Sequence, residues 1–137
     1  MAQLPPSYDI RDILVTVDSV STPIYIDREP VSPDECITIY NSGSWQASNP
    51  KYLVNYPSIQ IRSRANTATL AYNNLLEVFD HILGRAALTR NTTRYVGFYS
   101  ETDIFELGRD DNNRALYAAN FNLVTEPASV SQHRSSI

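Results

Sequence analysis

The sequence is poor in the residues that build covalent or metal-centred chemistry. One cysteine, Cys36, occurs in 137 residues. A single thiol excludes an intramolecular disulfide framework and any multi-cysteine zinc or iron–sulfur site. Only His81 and His133 could add imidazole ligands, which all but excludes a zinc cluster. Glycine is also scarce. Gly43, Gly84, Gly97 and Gly108 stand far apart, so neither a phosphate-cradling loop nor a dinucleotide fingerprint can be built. No apolar run approaches the length of a membrane span. Met1 to Ser7 has neither the basic region nor the apolar stretch of a signal peptide, and none is expected. Lysine is nearly missing: of eleven basic residues, ten are Arg and one is Lys51. With a net charge of −4, a broad basic face for duplex DNA is not expected.

What is present describes a globular chain. The hydrophobic fraction is 42% and the charged fraction 19%. At 15.4 kDa, folding buries roughly 68% of the unfolded surface, enough for one core without staples. Residues 1–127 read as one domain. Residues 128–137, ASVSQHRSSI, read as a flexible polar tail after Pro127. Nine of the fourteen aromatics are Tyr. An Arg- and Tyr-rich chain suits surface that is buried against partners, although a shift in base composition gives the same Arg bias.

Periodicity predicts the elements. Tyr8 to about Val20 reads as a helix capped by Ser7, with Ile10, Ile13, Leu14 and Val17 on one face, although its ILVTV run also suits a strand. Short strands follow at Ile24–Asp27 and Cys36–Tyr40. Asn41 to Lys51 reads as a polar loop carrying Trp45, the only tryptophan. A strand then opens at Tyr56-Pro57, with Ile59 and Ile61 facing one way and Gln60, Arg62 and Arg64 the other. The strongest helix runs from Asn66, a good cap residue, to Leu83, with Gly84 just beyond. Ala68, Ala71, Leu75, Val78, Phe79 and Ile82 form its apolar stripe. Asn73, Asn74, Glu77, Asp80 and His81 lie opposite, and Leu70 falls among the polar positions. Strands at Arg94–Glu101 and Arg114–Thr125 flank Asp103–Leu107 and a turn at Gly108–Asn113. In the longer strand Tyr117, Ala119, Phe121 and Leu123 share a face. The order predicts an α+β domain: an antiparallel or mixed sheet with two helices packed on one face.

No pattern in the chain spells out a reaction. Cys36 reads as a small buried strand residue and His81 as a solvated helix residue. The run Asp110-Asp111-Asn112-Asn113 superficially suggests a calcium loop, but lacks the alternating spacing and the closing glutamate. It reads as a turn. The carboxylates between Asp103 and Asp111 could do acid–base work only in a cleft with raised pKa values, and the sequence places no cleft around them. Neither a catalytic residue nor a metal or cofactor is expected. The candidate interaction residues are Trp45, Arg62, Arg64, Leu70, Arg109, Asp110, Asp111 and Arg114. Arg62 and Arg64 repel across one strand face unless carboxylates, solvent or a partner attend them. Trp45 either folds back on the core or anchors a protein contact.

The segments CITIYNSGSWQASNP, YPSIQIRSRA before a helix, and RYVGFYSETDIFELGRDDNNRALYAANFNLVTEP together resemble the small phage tail-terminator family, also called minor capsid proteins. The resemblance covers about Pro33 to Pro127. It is most specific from Leu107-Gly108-Arg109-Asp110 through Arg114 to Asn120-Phe121. Asn113 stands where the family's turn usually has Gly, and Ser42-Gly43-Ser44 replaces a more glycine-rich loop. The resemblance implies a structural virion protein with no enzymatic activity, assembled in the host cytoplasm. It implies a homo-oligomer, a six-fold ring at the head-proximal end of the tail tube, which stops tail polymerisation. The implied partners are the tail tube protein and the head–tail connector or stopper, with DNA passing through the hole and no membrane involved. A closed ring needs two different complementary patches per subunit. The Leu107–Arg114 hairpin and the Asn41–Lys51 loop are the expected suppliers. Another neck component, for tail completion or head closure, is the alternative.

Overall fold

The computed structural model describes residues 5–46 and 54–127 of the chain. The elements are α1 (Pro6–Asp12), a π-helical segment (Ile13–Val17), β1 (Ile24–Ile26), β2 (Cys36–Ser44), β3 (Pro57–Ala65), α2 (Ala68–Ile82), β4 (Leu88–Arg90), β5 (Thr93–Ser100), β6 (Phe105–Arg109) and β7 (Ala115–Pro127). The fold is α+β. The seven strands form one mixed sheet in the order β1-β2-β3-β7-β5-β4, and β6 also pairs with β7. β1 runs parallel to β2, and the other pairs are antiparallel.

β7 organises the sheet. One of its edges pairs with β3 from Ala65↔Ala115 to Ser58↔Asn122. The other edge is shared: β6 takes the first half, from Arg109↔Ala115 to Phe105↔Ala118, and β5 takes the second, from Ser100↔Phe121 to Thr93↔Pro127. The strand alternation places Ile37, Ile39, Ile59, Ile61, Phe121 and Leu123 on one face, where α1 and α2 cover them. Ile10, Ile13 and Leu14 come from the N-terminal helix. Leu75, Val78, Phe79 and Ile82 come from α2, as its 3.6-residue stripe requires. Ala68 and Ala71 lie in or against a smaller cluster with Ala65 and Ala115, where small side chains let α2 approach the sheet.

The first helix departs from expectation. It starts at Pro6, whose fixed φ suits a first helical position, and Pro5 rather than Ser7 occupies the cap position. Ser7 is buried in the first turn and exchanges two hydrogen bonds with Asn41: its N–H donates to Asn41 Oδ1 at 3.2 Å, and Asn41 Nδ2 donates to Ser7 Oγ at 2.8 Å. After Asp12 the chain widens into the π-helical segment, where the Asp18 N–H reaches back five residues to the Ile13 carbonyl. The extra residue per turn breaks the 3.6 phase, so Val17 turns outward and is 56% exposed. Val20 joins the core instead.

Three other boundaries differ. Thr67, not Asn66, caps α2, its Oγ1 accepting from the Leu70 N–H at 3.2 Å. β2 continues through Asn41 to Ser44, over a bulge where Gly43 has φ +93°, so the connection opens only at Trp45. β4 had no counterpart in the sequence reading; at three residues it is too short for alternation to show. Gly84 takes the expected left-handed conformation, φ +68°. The expected tail, the second half of the Asn41–Lys51 loop and His133 lie outside the described residues.

The cap assignment is directly testable. Thr67→Ala should cost about 1 kcal/mol in chemical denaturation, whereas Asn66→Ala should cost only a few tenths. Equal costs, or the reverse order, would refute the Thr67 cap. Leu75→Ala, inside the core, should cost about 2–5 kcal/mol in the same experiment.

Candidate assembly surface

The β6–β7 hairpin is built around one carboxylate. Asp110 Oδ1 accepts the N–H groups of Asn112 at 3.0 Å and Arg114 at 2.9 Å, while Oδ2 accepts Arg114 Nε at 2.8 Å. The loop closes through the Asp110 N–H on the Arg114 carbonyl and the Asn113 N–H on the Asp110 carbonyl. Asn113 sits at φ +60°, the left-handed position that Asn tolerates in place of Gly. Gly108 at φ +95° carries the bulge where Leu107 is left without a ladder partner. Desolvation works against ionisation of Asp110. The Arg114 N–H and guanidinium and the Asn112 N–H outweigh it and hold the carboxyl below the usual carboxylate range. The turn is thus satisfied by protein donors.

Arg64 and Arg114 are spent inside the chain, 3% and 6% exposed. Arg64 donates to the carbonyls of Asp34, through Nε at 3.2 Å, and Pro33, through Nη2 at 2.7 Å. Arg114 Nη1 donates to the Val31 carbonyl at 2.6 Å and contacts Asp34 Oδ1 at 3.2 Å. Both therefore clamp the β1–β2 connection onto the sheet. Cys36, paired with Arg64 in the ladder, is buried there, and burial pushes its thiol up despite the nearby guanidinium. Arg62 remains half-exposed on the outer face. It is attended by Glu29 at 3.6 Å, Gln60 Oε1 at 2.9 Å and the Tyr40 ring at 4.9 Å.

The sheet face away from the helices is polar. Ser58 Oγ donates to Asn122 Oδ1 and Gln60 Nε2 to Asn120 Oδ1, each at 3.0 Å across β3 and β7. Together with Trp45 and Glu101 these residues line an open hollow of about 580 Å³. Trp45 folds back: its Nε1 donates to the Leu123 carbonyl at 2.8 Å and its ring meets Tyr56 edge-on at 5.1 Å. It still leaves 39% of its surface exposed. The indole therefore pins the end of β2 and presents a ring edge to solvent.

On the opposite side, α2 exposes Leu70 and Tyr72, with Tyr72 edge-on to Tyr117 at 5.7 Å. Beside them a cleft of about 310 Å³ opens between α2 and the β5–β6 connection, lined by Tyr72, Leu76, Phe79, Asp80, Asp103 and Ile104. Asp103 and Asp80 are both exposed on the rim of this cleft. Nothing in the spacing of positions 80 and 103 signals this; the β5–β6 connection has to fold over α2 first. Asp110 and Asp111 lie at the far end of β6 from Asp103. The carboxylates of the Asp103–Asp111 run therefore do not converge, and Asp110 ionises more readily than usual rather than less.

Exposed Trp45, Leu70, Arg109 and Asp111 and half-exposed Arg62 are thus distributed over the hairpin, the polar sheet face and α2, rather than gathered at one place. Among the described residues no helix is long and apolar enough to cross a membrane. The fold matches that of a chain in a solved structure described as the virion of a native gene transfer agent particle. The TM-score is 0.69 at 16% identity, over 88% of this chain and 93% of that one. A search of curated proteins finds no match. The family model for bacteriophage tail terminator proteins matches residues 9–127. The chain belongs to that family and is a structural, tail-associated virion protein.

The Asp110 contacts give a pH dependence of defined sign. The folded carboxyl binds its proton at lower pH than the unfolded one, so the unfolded chain takes up the proton first as pH falls. The contribution of Asp110 is complete at neutral pH and is lost as pH falls through and below the carboxylate range. Asp110→Asn should therefore be less stable than wild type at pH 7. The gap should shrink below about pH 4 in denaturation series at stepped pH. A gap that stays constant down to pH 2 would show that the carboxylate is not the stabilising form.

Proposed function

We propose that the chain closes, with copies of itself, into a six-membered ring that caps the head-proximal end of the finished tail tube. The ring stops tube polymerisation and offers its other face to the head connector or stopper. The observation that carries this reading is the family match across residues 9–127, nearly the whole domain. The similarity of fold to a chain of a gene transfer agent virion supports it. So does the chemistry of the surface: polar amides and half-exposed aromatics suit contacts that form between preassembled parts. A net charge of −4 suits a ring around a DNA passage, because like charge discourages sticking. Association with tail and head proteins follows from the family; the ring, its count and the DNA passage are the proposal.

Native mass spectrometry over a concentration series, with negative-stain imaging of the largest species, tests the ring. The expected result is a six-subunit ring with a central hole. Added to polymerising tail-tube protein, the chain should fix tube length. Unchanged tube growth together with a monomeric chain would overturn the proposal. Charge reversal at Arg109 or Arg62 should weaken assembly while leaving the melting temperature within a few degrees, because both are exposed or half-exposed. Unaffected assembly would remove the corresponding patch from the interface.

A further inference from the structure

We infer that the cleft between α2 and the β5–β6 connection receives the β6–β7 hairpin of a neighbouring copy, with Arg109 of the hairpin set between Asp80 and Asp103 of the cleft. The inference rests on the ring reading and names its subunit contact.

The first ground is the distribution of charge. Five of the nine described arginines pair with carboxylates: Arg85 with Asp18, Arg90 with Asp12, Arg94 with Glu126, Arg62 with Glu29, and Arg114 with Asp34 and Asp110. Arg11 and Arg64 donate to backbone carbonyls, and exposed Arg28 and Arg109 are left, of which Arg109 stands on the β6–β7 hairpin. Arg109 has no carboxylate among the described residues. Its one contact is Nη1 on the Asn113 carbonyl at 2.7 Å, which leaves the rest of its donor fork open. On the other side, Asp80 and Asp103 have no counter-ion among the described residues, yet both stand on the rim of one cleft. Together they make the rim of the cleft acidic. A planar guanidinium is the group whose fork-shaped donors suit a carboxylate rim.

The second ground is apolar. Below the two carboxylates the cleft wall is Tyr72, Leu76, Phe79 and Ile104. Beside Arg109 in the hairpin stands Leu107, 40% exposed at the bulge and without a ladder partner. A hairpin that brings one aliphatic side chain and one guanidinium matches a cleft with an apolar wall and an acidic rim. The rim charges remain hydrated until docking, so the contact is reversible at high salt.

The third ground is distance. Ile104 just precedes β6 and Arg109 ends it, so the bulged strand holds the two about 15 Å apart. A chain therefore cannot fold its own Arg109 into its own cleft, and the two surfaces can meet only between copies. Because they are different surfaces, the contact is heterologous, the kind that propagates around a ring rather than ending in a two-fold dimer.

Charge exchange tests this. Asp103→Arg and Arg109→Asp should each weaken self-association at least about tenfold in sedimentation, and together should restore it, while circular dichroism and the melting temperature show each variant folded. Folded charge reversals that leave self-association unchanged, or that do not rescue each other, overturn the contact and leave the ring reading standing. A wild-type chain that stays monomeric at every concentration, alone and on preformed tail tubes, overturns both.

Discussion

The pairing of β3 with β7 is the constraint on which the rest of the molecule depends. These two strands form the sheet's centre, and their inward residues Ile59, Ile61, Phe121 and Leu123 are the floor that both helices cover. The register matters more than the composition. A slip by one residue would exchange these side chains for Ser58, Gln60, Asn120 and Asn122, placing amides under the helices and isoleucines in water. Side-chain hydrogen bonds between those outward residues hold the same register from the other face. Pairing is thus specified twice, by burial within and by amide contacts without.

β7 is long because it serves three strands. Its thirteen residues give β5 and β6 separate stretches of one edge, and among the described residues β6 pairs with β7 alone. The hairpin that follows β6 is held by Arg114, whose guanidinium bridges Asp110 within the turn and Asp34 in the β1–β2 connection. Arg64 reaches the same connection from the next strand. Two buried guanidinium groups therefore fix the direction of the hairpin relative to the sheet. They do so chiefly by satisfying carbonyls and carboxylates that would otherwise lack donors. The exposed residues beside them, Leu107 and Arg109, are left for contacts outside the chain.

Much of this was legible in the sequence. The stripe on α2, the alternation in β3 and β7, the Gly108–Asn113 turn and the α+β order all follow from local periodicity and turn chemistry. The structure agrees at each. The N-terminal helix was only half legible. Its first two turns keep the helical phase, but the π-helical segment after Asp12 is a local widening that no hydrophobic period encodes. The interaction surface divided in the same way. Exposure of Leu70, on the polar side of α2, was readable from its helical angle. Burial of Arg64 and Arg114 was not, because an arginine on the outer face of a strand reads as solvated until another loop is seen to cover it.

The sequence by itself determined the elements, the face each buries, the family resemblance and the poverty of residues suited to catalysis or metal binding. These are properties of a residue and its neighbours within about ten positions, where spacing alone fixes geometry. Only the tertiary structure decided which arginines are spent internally, that Trp45 bonds the Leu123 carbonyl, and that Asp80 and Asp103 share a cleft. Those facts join positions twenty to eighty residues apart. Their proximity is set by strand order and by how the β1–β2 and β5–β6 connections fold over the sheet and α2, which no local period records.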